Sequence, residues 1–235
     1  MPRWPVASRL SAALLTLLAL GMPGLAAAEW RARAGATVGE MSQYGYLGAE
    51  LPLSDDPRHG LVQRVWLDWQ NYDYNARGTS LDVSGPSASY ALGYQDSGDA
   101  GRWAAYAGLR YRDAKQRPAK PKSEAVDQSL QLGFRFEGEL RLSPRWRAGG
   151  DLTTYPASKG YTARGRMLRD IGRGLSLGPE LAVEGDTDYN AQQLGIVVDG
   201  LKPTPNLNMA AKTGVQRDDE GDLGWFLGVE FTRRF

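Results

Sequence analysis

The chain has 235 residues, 42% hydrophobic and 23% charged, with 28 Lys and Arg against 27 Asp and Glu, and a mean hydropathy of −0.44. It has no cysteine and a single histidine, His59, which excludes a disulfide-stapled domain, a thiolate zinc or iron–sulfur site and a multi-histidine metal centre. The even charge balance argues against a nucleic-acid partner, because such a binder needs a basic surface to displace counterions.

In chain order, the first element reads as an export signal. Arg3 and Arg9 precede the apolar run 10–20, Pro23 and Gly24 interrupt it, and residues 25–28 offer small side chains for cleavage near Ala28. Eleven apolar residues are too few to cross a bilayer as a helix. Residues 1–28 are therefore expected to be a signal peptide and 29–235 the mature domain. The signal removes two arginines and no acid, leaving 26 basic against 27 acidic residues, formally −1. No later stretch approaches the ~20 consecutive apolar residues of a membrane helix.

Beyond the signal the pattern is alternation. Trp30, Ala32, Ala34, Ala36 and Val38 alternate with Arg31, Arg33, Gly35, Thr37 and Gly39. Successive strand side chains point to opposite faces, so a wall between lipid and water must read apolar–polar. Leu130, Leu132, Phe134 and Phe136 alternate with Gln131, Gly133, Arg135 and Glu137, and Trp225, Leu227, Val229 and Phe231 with Phe226, Gly228, Glu230 and Thr232. As helices, these segments would scatter arginine over every face. The template predicts twelve strands, at 30–39, 43–52, 61–73, 84–95, 103–113, 126–139, 145–155, 161–170, 175–184, 190–198, 206–216 and 225–235.

Most of these have about the 9–11 residues with which a tilted strand crosses hydrocarbon. Their even number places both chain ends on the periplasmic side. Ser143-Pro144 and Gly172-Arg173-Gly174 are expected as tight periplasmic turns. Linkers 53–60 and 199–205 share that side, while 74–83 and the basic 114–125 face outward. Pro179 dissents, because a closed barrel has no edge where a missing N–H is harmless; a bulge or a later strand start is expected there. Trp30, Trp103, Tyr111, Trp146, Tyr155, Tyr161 and Trp225 lie towards strand ends, as interfacial girdles do. Phe235 closes an alternating strand, which resembles the assembly signal of outer-membrane barrels, although Arg233 departs from it. A soluble sandwich or lipocalin-like barrel also alternates, but it turns an aliphatic face inward. The expected fold is thus an all-β antiparallel transmembrane β-barrel of about 12 strands, surrounded by lipid in a Gram-negative outer membrane.

The polar face then lines the lumen. Arg64, Asp68, Arg110, Arg112, Arg135, Glu137, Arg164, Arg166 and Glu180 are the candidate lumenal or glycan-contacting residues. Arg31, Arg33, Arg147, Asp127, Asp151, Glu184 and Glu230 share their face. Such an interior is either mutually paired or wet, since an unpaired buried charge costs several kcal/mol. It is read either as a salt-bridged filling or as a conduit whose arginines attract acidic solutes. Trp66, Tyr72, Tyr74 and Tyr94 suit stacking on sugar rings or a place at the membrane interface. Catalysis is not expected: His59 falls in the turn 55–60, and nothing in the spacing of the acids selects a glycosidase pair. Neither cofactor nor metal is expected, because the acidic clusters 184–188 and 218–222 lack the spacing of a twelve-residue calcium loop.

Three segments carry a family resemblance. Val65-Trp66-Leu67-Asp68-Trp69-Gln70-Asn71-Tyr72-Asp73-Tyr74, then Ala91-Leu92-Gly93-Tyr94-Gln95, then Leu175-Ser176-Leu177-Gly178-Pro179-Glu180 with Gly185-Asp186 and Tyr189, resemble the BcsS-like cellulose-biosynthesis proteins. The similarity spans about residues 40–235. The Glu180-Leu181 continuation and the basic linker 115–122 depart from it. The resemblance implies an exported barrel that helps make, export or anchor an extracellular glucan, with a polysaccharide or other cellulose-secretion components as partners. It supplies no catalytic residues. A small monomeric porin for acidic oligosaccharides, and a structural docking barrel for a periplasmic assembly through 53–60 and 199–205, are the other readings.

Overall fold

The computed structural model describes residues 30–76, 79–118, 125–187, 189–218 and 221–235, with side chains except at 73–81 and 116–128. The expected signal peptide lies outside the described residues. The strands are β1 (Arg31–Gly39), β2 (Ser42–Pro52), β3 (His59–Ala76), β4 (Thr79–Gly98), β5 (Gly101–Pro118), β6 (Ala125–Ser143), β7 (Trp146–Tyr155), β8 (Gly160–Gly172), β9 (Leu175–Gly185), β10 (Asn190–Thr204), β11 (Leu207–Asp218) and β12 (Leu223–Arg234). Each pairs antiparallel with its sequence neighbours, and β12 closes on β1 in the register Arg31↔Arg234 to Gly39↔Phe226. Every strand therefore has two hydrogen-bonded partners, which is the condition for crossing lipid without an orphaned edge.

The alternation sorts as its chemistry requires. Leu130, Ile196 and Phe136 point away from the barrel at 67%, 58% and 52% exposure, while Phe226, on the opposite face of β12, is 1% exposed. Leucines and phenylalanines on the outside and arginines within rule out the soluble, apolar-centred barrel. The terminal Phe235 stacks on Trp30 at 3.9 Å and donates its N–H to the Trp30 carbonyl at 3.0 Å, binding the last residue to the one that precedes β1. Trp103, Tyr111 and Trp225 face outward, whereas Tyr155, expected in the girdle, turns into the lumen beneath Arg110.

Several strands outrun their expected bounds. β3–β6 reach 18–20 residues, against 9–13 in β1, β2, β7, β8, β9, β11 and β12. At roughly 3.3 Å per residue an 18-residue strand is about 60 Å long, well beyond a ~30 Å hydrocarbon layer even when tilted. β7 pairs only with Phe134–Ser143 of β6, so 125–133 rise past it as part of a crest at the end opposite the termini. Among the described residues of the linkers expected at 74–83, 114–125 and 199–205, 74–76, 79–83, 114–118 and 125 are strand, as are 199–204 at the terminal end, where β10 reaches Thr204 through two register shifts. Beyond the lipid, on either side, the backbone still gains by pairing, but its side chains no longer have to alternate.

Pro179 neither bulges β9 nor delays it. The proline faces outward, pairs with Ile196 of β10, and interrupts pairing with β8 only between Arg166↔Glu180 and Arg169↔Leu177, with the register unchanged. Pro86 interrupts β4–β5 pairing in the same way, between Ser84↔Lys115 and Ser87↔Arg112. A two-residue lapse is tolerated because the strand stays paired on its other side.

Candidate functional site

Inward side chains from most of the strands meet in a belt of charge halfway along the bore. Glu50 of β2 accepts from Arg33 of β1 at 3.1 Å, and Arg33 reaches Glu137 of β6 at 2.9 Å. Arg135 contacts Glu137 and Asp151 of β7, each at 3.1 Å. Asp151 takes Arg164 of β8 at 2.8 Å, and Arg164 also pairs with Glu230 of β12. Arg166 holds Glu230 and Glu180 of β9, each at 3.0 Å, and Lys212 of β11 closes on Glu180 at 3.1 Å. Acids and bases thus alternate without a gap from Glu50 to Lys212. Arg64 lies at its edge, 4.0 Å from Glu50 and 3.8 Å over the Trp66 ring.

The strands involved are not all neighbours. Arg33–Glu137 joins β1 to β6, and Arg164–Glu230 joins β8 to β12, so these pairs cross the bore rather than run along its wall. Breaking a buried pair by deleting one member strands the other charge and costs about 3–5 kcal/mol. The belt therefore holds its shape.

On the side away from the termini lies a cavity of about 290 Å³. Tyr44, Tyr46, Trp66 and Tyr72 face it from β2 and β3, Tyr155 from β7, and Tyr189 from the β9–β10 turn. Glycine makes the wall flat: a Cβ on Gly35 would stand 2.5 Å from the Tyr46 ring, and one on Gly48 would overlap Trp66. Tyr46 stacks on Trp66 at 4.7 Å, with Tyr44 5.8 Å beyond it. Arg110 is held by Asp68 at 3.0 Å and Ser87 at 2.9 Å, with its guanidinium over the Tyr155 ring. Arg112 donates to the Tyr72 hydroxyl at 3.1 Å and, with the Gln70 amide oxygen turned to it, to Gln70 at 2.7 Å. Tyr189 lies 4.9 Å from Tyr72; burial pushes its phenol above the ordinary range.

On the terminal side a larger cavity, about 650 Å³, has a different lining. Beyond the belt it carries Arg31, Arg102, Arg147, Lys202 and Arg234 against Glu139 and Asp199. Arg147 bridges Glu139 at 3.2 Å and also pairs with Asp199. Arg102, Lys202 and Arg234 make no ion pair with a described residue.

All nine candidate residues point inward, but they separate. Arg64, Arg135, Glu137, Arg164, Arg166 and Glu180 belong to the belt, and Asp68, Arg110 and Arg112 to the cavity above it. The side chains of Asp127 and Tyr74 lie outside the described residues. Tyr94 faces outward beside Trp103, so it cannot meet a lumenal ligand. Trp66 lies between Arg64 and Tyr46, which leaves no open ring face. Tyr44, Tyr46, Glu50 and Lys212 went unnoticed in the sequence, although alternation through Tyr44, Tyr46, Gly48 and Glu50 is there to find.

His59 begins β3 at the terminal rim and pairs with Asp96. The nearby Ser54 hydroxyl bonds to the His59 carbonyl at 2.8 Å, so it is turned to backbone and not to the imidazole. In the acidic turns, Asp186 accepts the Tyr189 N–H at 3.1 Å and Asp218 the Asp222 N–H at 2.9 Å. These carboxylates cap turns, and among the described residues no three metal-ligating side chains gather.

Among solved structures, the translocator domain of the autotransporter NalP from Neisseria meningitidis is similar at a TM-score of 0.53 and 12% identity, over 97% of this chain and 96% of that one. An outer membrane channel from Pseudomonas putida F1 gives 0.53 and 12%, over 88% and 96%. The beta domain of the Bordetella autotransporter BrkA gives 0.52 and 16%, over 89% and 100%. At such identities the likeness shows a shared barrel fold. No curated protein matches in sequence. Residues 33–235, β2 to β12 and nearly all of β1, match the family described as cellulose biosynthesis protein BcsS, and the chain belongs to that family.

Proposed function

We propose that this chain is an accessory outer-membrane barrel in bacterial cellulose or exopolysaccharide production, with its termini in the periplasm and its bore shut to the polymer. The observation that carries the reading is the Arg33–Glu137 pair, which joins β1 to β6 across the lumen at 2.9 Å in the midst of a continuous chain of ion pairs. A glucan passing through would have to break those pairs one after another. The barrel then acts beside the export route, as an anchor or receptor at the cell surface, and without catalysis. A porin for acidic oligosaccharides would need free guanidiniums at the belt, where those of Arg33, Arg135, Arg164 and Arg166 each already hold a carboxylate.

A docking role for a periplasmic assembly is favoured by one further observation, the cationic surplus of the terminal-side cavity. Its surface is the turn 53–58 and the ends of β5, β10 and β12, in place of the linker 199–205. Planar-bilayer recording tests the closed bore. The reconstituted protein is expected to carry no steady current, and a stable open conductance would overturn the reading. Loss of the protein is expected to reduce or displace surface cellulose; unchanged output and anchoring would remove the cellulose role.

A further inference from the structure

The cavity away from the termini is a blind pocket, because the belt forms its floor. It therefore suits the end of a chain and not a strand passing through. Its volume, about 290 Å³, is at the lower limit of small-ligand sites. Apart from the belt, its charges are Arg110 and Arg112 against Asp68, Glu184 and Asp186, with Arg110 already held by Asp68. Asp68 and Arg110 neutralise each other, which leaves Arg112 against Glu184 and Asp186, so the lining outside the belt has no cationic surplus and suits an uncharged ligand.

The remaining chemistry is amphipathic in the manner of a pyranose. A sugar ring has C–H faces that pack on an aromatic plane and a rim of hydroxyls that need donors and acceptors. Tyr44 offers such a plane: it faces the cavity, is 37% exposed, and is backed by the Tyr46–Trp66 stack. Gln70 and the Arg112 guanidinium stand nearby as hydroxyl partners. Because Gly35 and Gly48 let the supporting rings lie flat, the plane is in place before any ligand arrives.

We propose that this pocket binds the end of an uncharged β-linked glucan chain, with Tyr44 as its stacking platform and Gln70 and Arg112 on its hydroxyls. The proposal rests on the outward orientation and cellulose role given above, and gives that role its ligand. The test is calorimetric titration of the whole, detergent-folded barrel with cellotetraose and with tetragalacturonate, a carboxylated chain of equal length. Cellotetraose is expected to bind saturably, and tetragalacturonate more weakly. Tyr44→Ala is expected to weaken cellotetraose binding about five- to tenfold, the loss of one ring contact. Ser97→Ala, in the other cavity, should leave it unchanged. If Tyr44→Ala fails to fold, as shown by loss of heat-modifiable mobility, Gln70→Ala serves in its place. Absence of saturable binding to folded barrel, equal affinity in the folded variant, or tighter binding of tetragalacturonate would overturn the proposal. A conducting barrel that binds cellotetraose would sink only the closed bore; a silent one that does not would sink only this site.

Discussion

On one side of the belt the lumen is walled by phenols and amides with near-balanced charge; on the other it is walled by arginine and lysine in excess. The same strands build both cavities. β3 supplies Trp66, Asp68, Gln70 and Tyr72 to the first, while the inward residues of β5 run from Arg102 in the second to Arg112 in the first. The difference therefore lies in depth along each strand and not in the architecture. A barrel keeps its hydrogen bonds whatever faces the lumen, so each depth is free to acquire its own chemistry. The belt between them keeps the two regions apart.

The largest expected effect comes from removing that partition. Glu137→Ala takes one of two carboxylate partners from each of Arg33 and Arg135, which keep Glu50 and Asp151, and should cost about 1–3 kcal/mol for each arginine. The unfolding temperature in detergent should fall and steady current should appear in bilayers; a silent variant of unchanged stability would show that the belt neither holds nor closes the bore. Gly48→Ala comes next. Its Cβ would displace Trp66, at about 1–3 kcal/mol for overpacking, and should reduce cellotetraose binding without opening the belt.

A third measurement sharpens the contrast through selectivity. Current through the Glu137→Ala barrel should favour anions, because ions must cross the cationic cavity. Adding Arg102→Gln, Lys202→Gln and Arg234→Gln should bring the reversal potential in a salt gradient close to zero. The smallest effect belongs to Arg102→Ala alone. Having no carboxylate partner among the described residues, it should leave stability within about 0.5 kcal/mol. A large loss would mean that Arg102 is structurally tied to Glu139, its cross-strand neighbour.

The barrel was legible from the chain because lipid imposes a rule on every second residue. Leu130 to Phe136 and Trp225 to Phe231 obey it, and β6 and β12 lie where the alternation puts them. The rule lapses outside the membrane on both sides, which is why β3–β6 and β10 run further than the pattern indicated. Pro179 looked like a fault only because a sequence does not reveal which flank of a strand loses its partner. Within the lumen, alternation identified which residues face inward but carried no information on which of them meet.

By itself, then, the sequence determined the face on which most residues fall and a count of about twelve strands, since those depend on period along one dimension, while the family rested on the resemblance of particular segments. Only the tertiary structure decided that Arg33 meets Glu137 from nearly across the ring, that Tyr44 is an open plane while Trp66 is covered, and that nine inward residues divide between a belt and a pocket. Such contacts depend on shear and closure, which bring together strands many positions apart in the chain, and no local pattern records that distance.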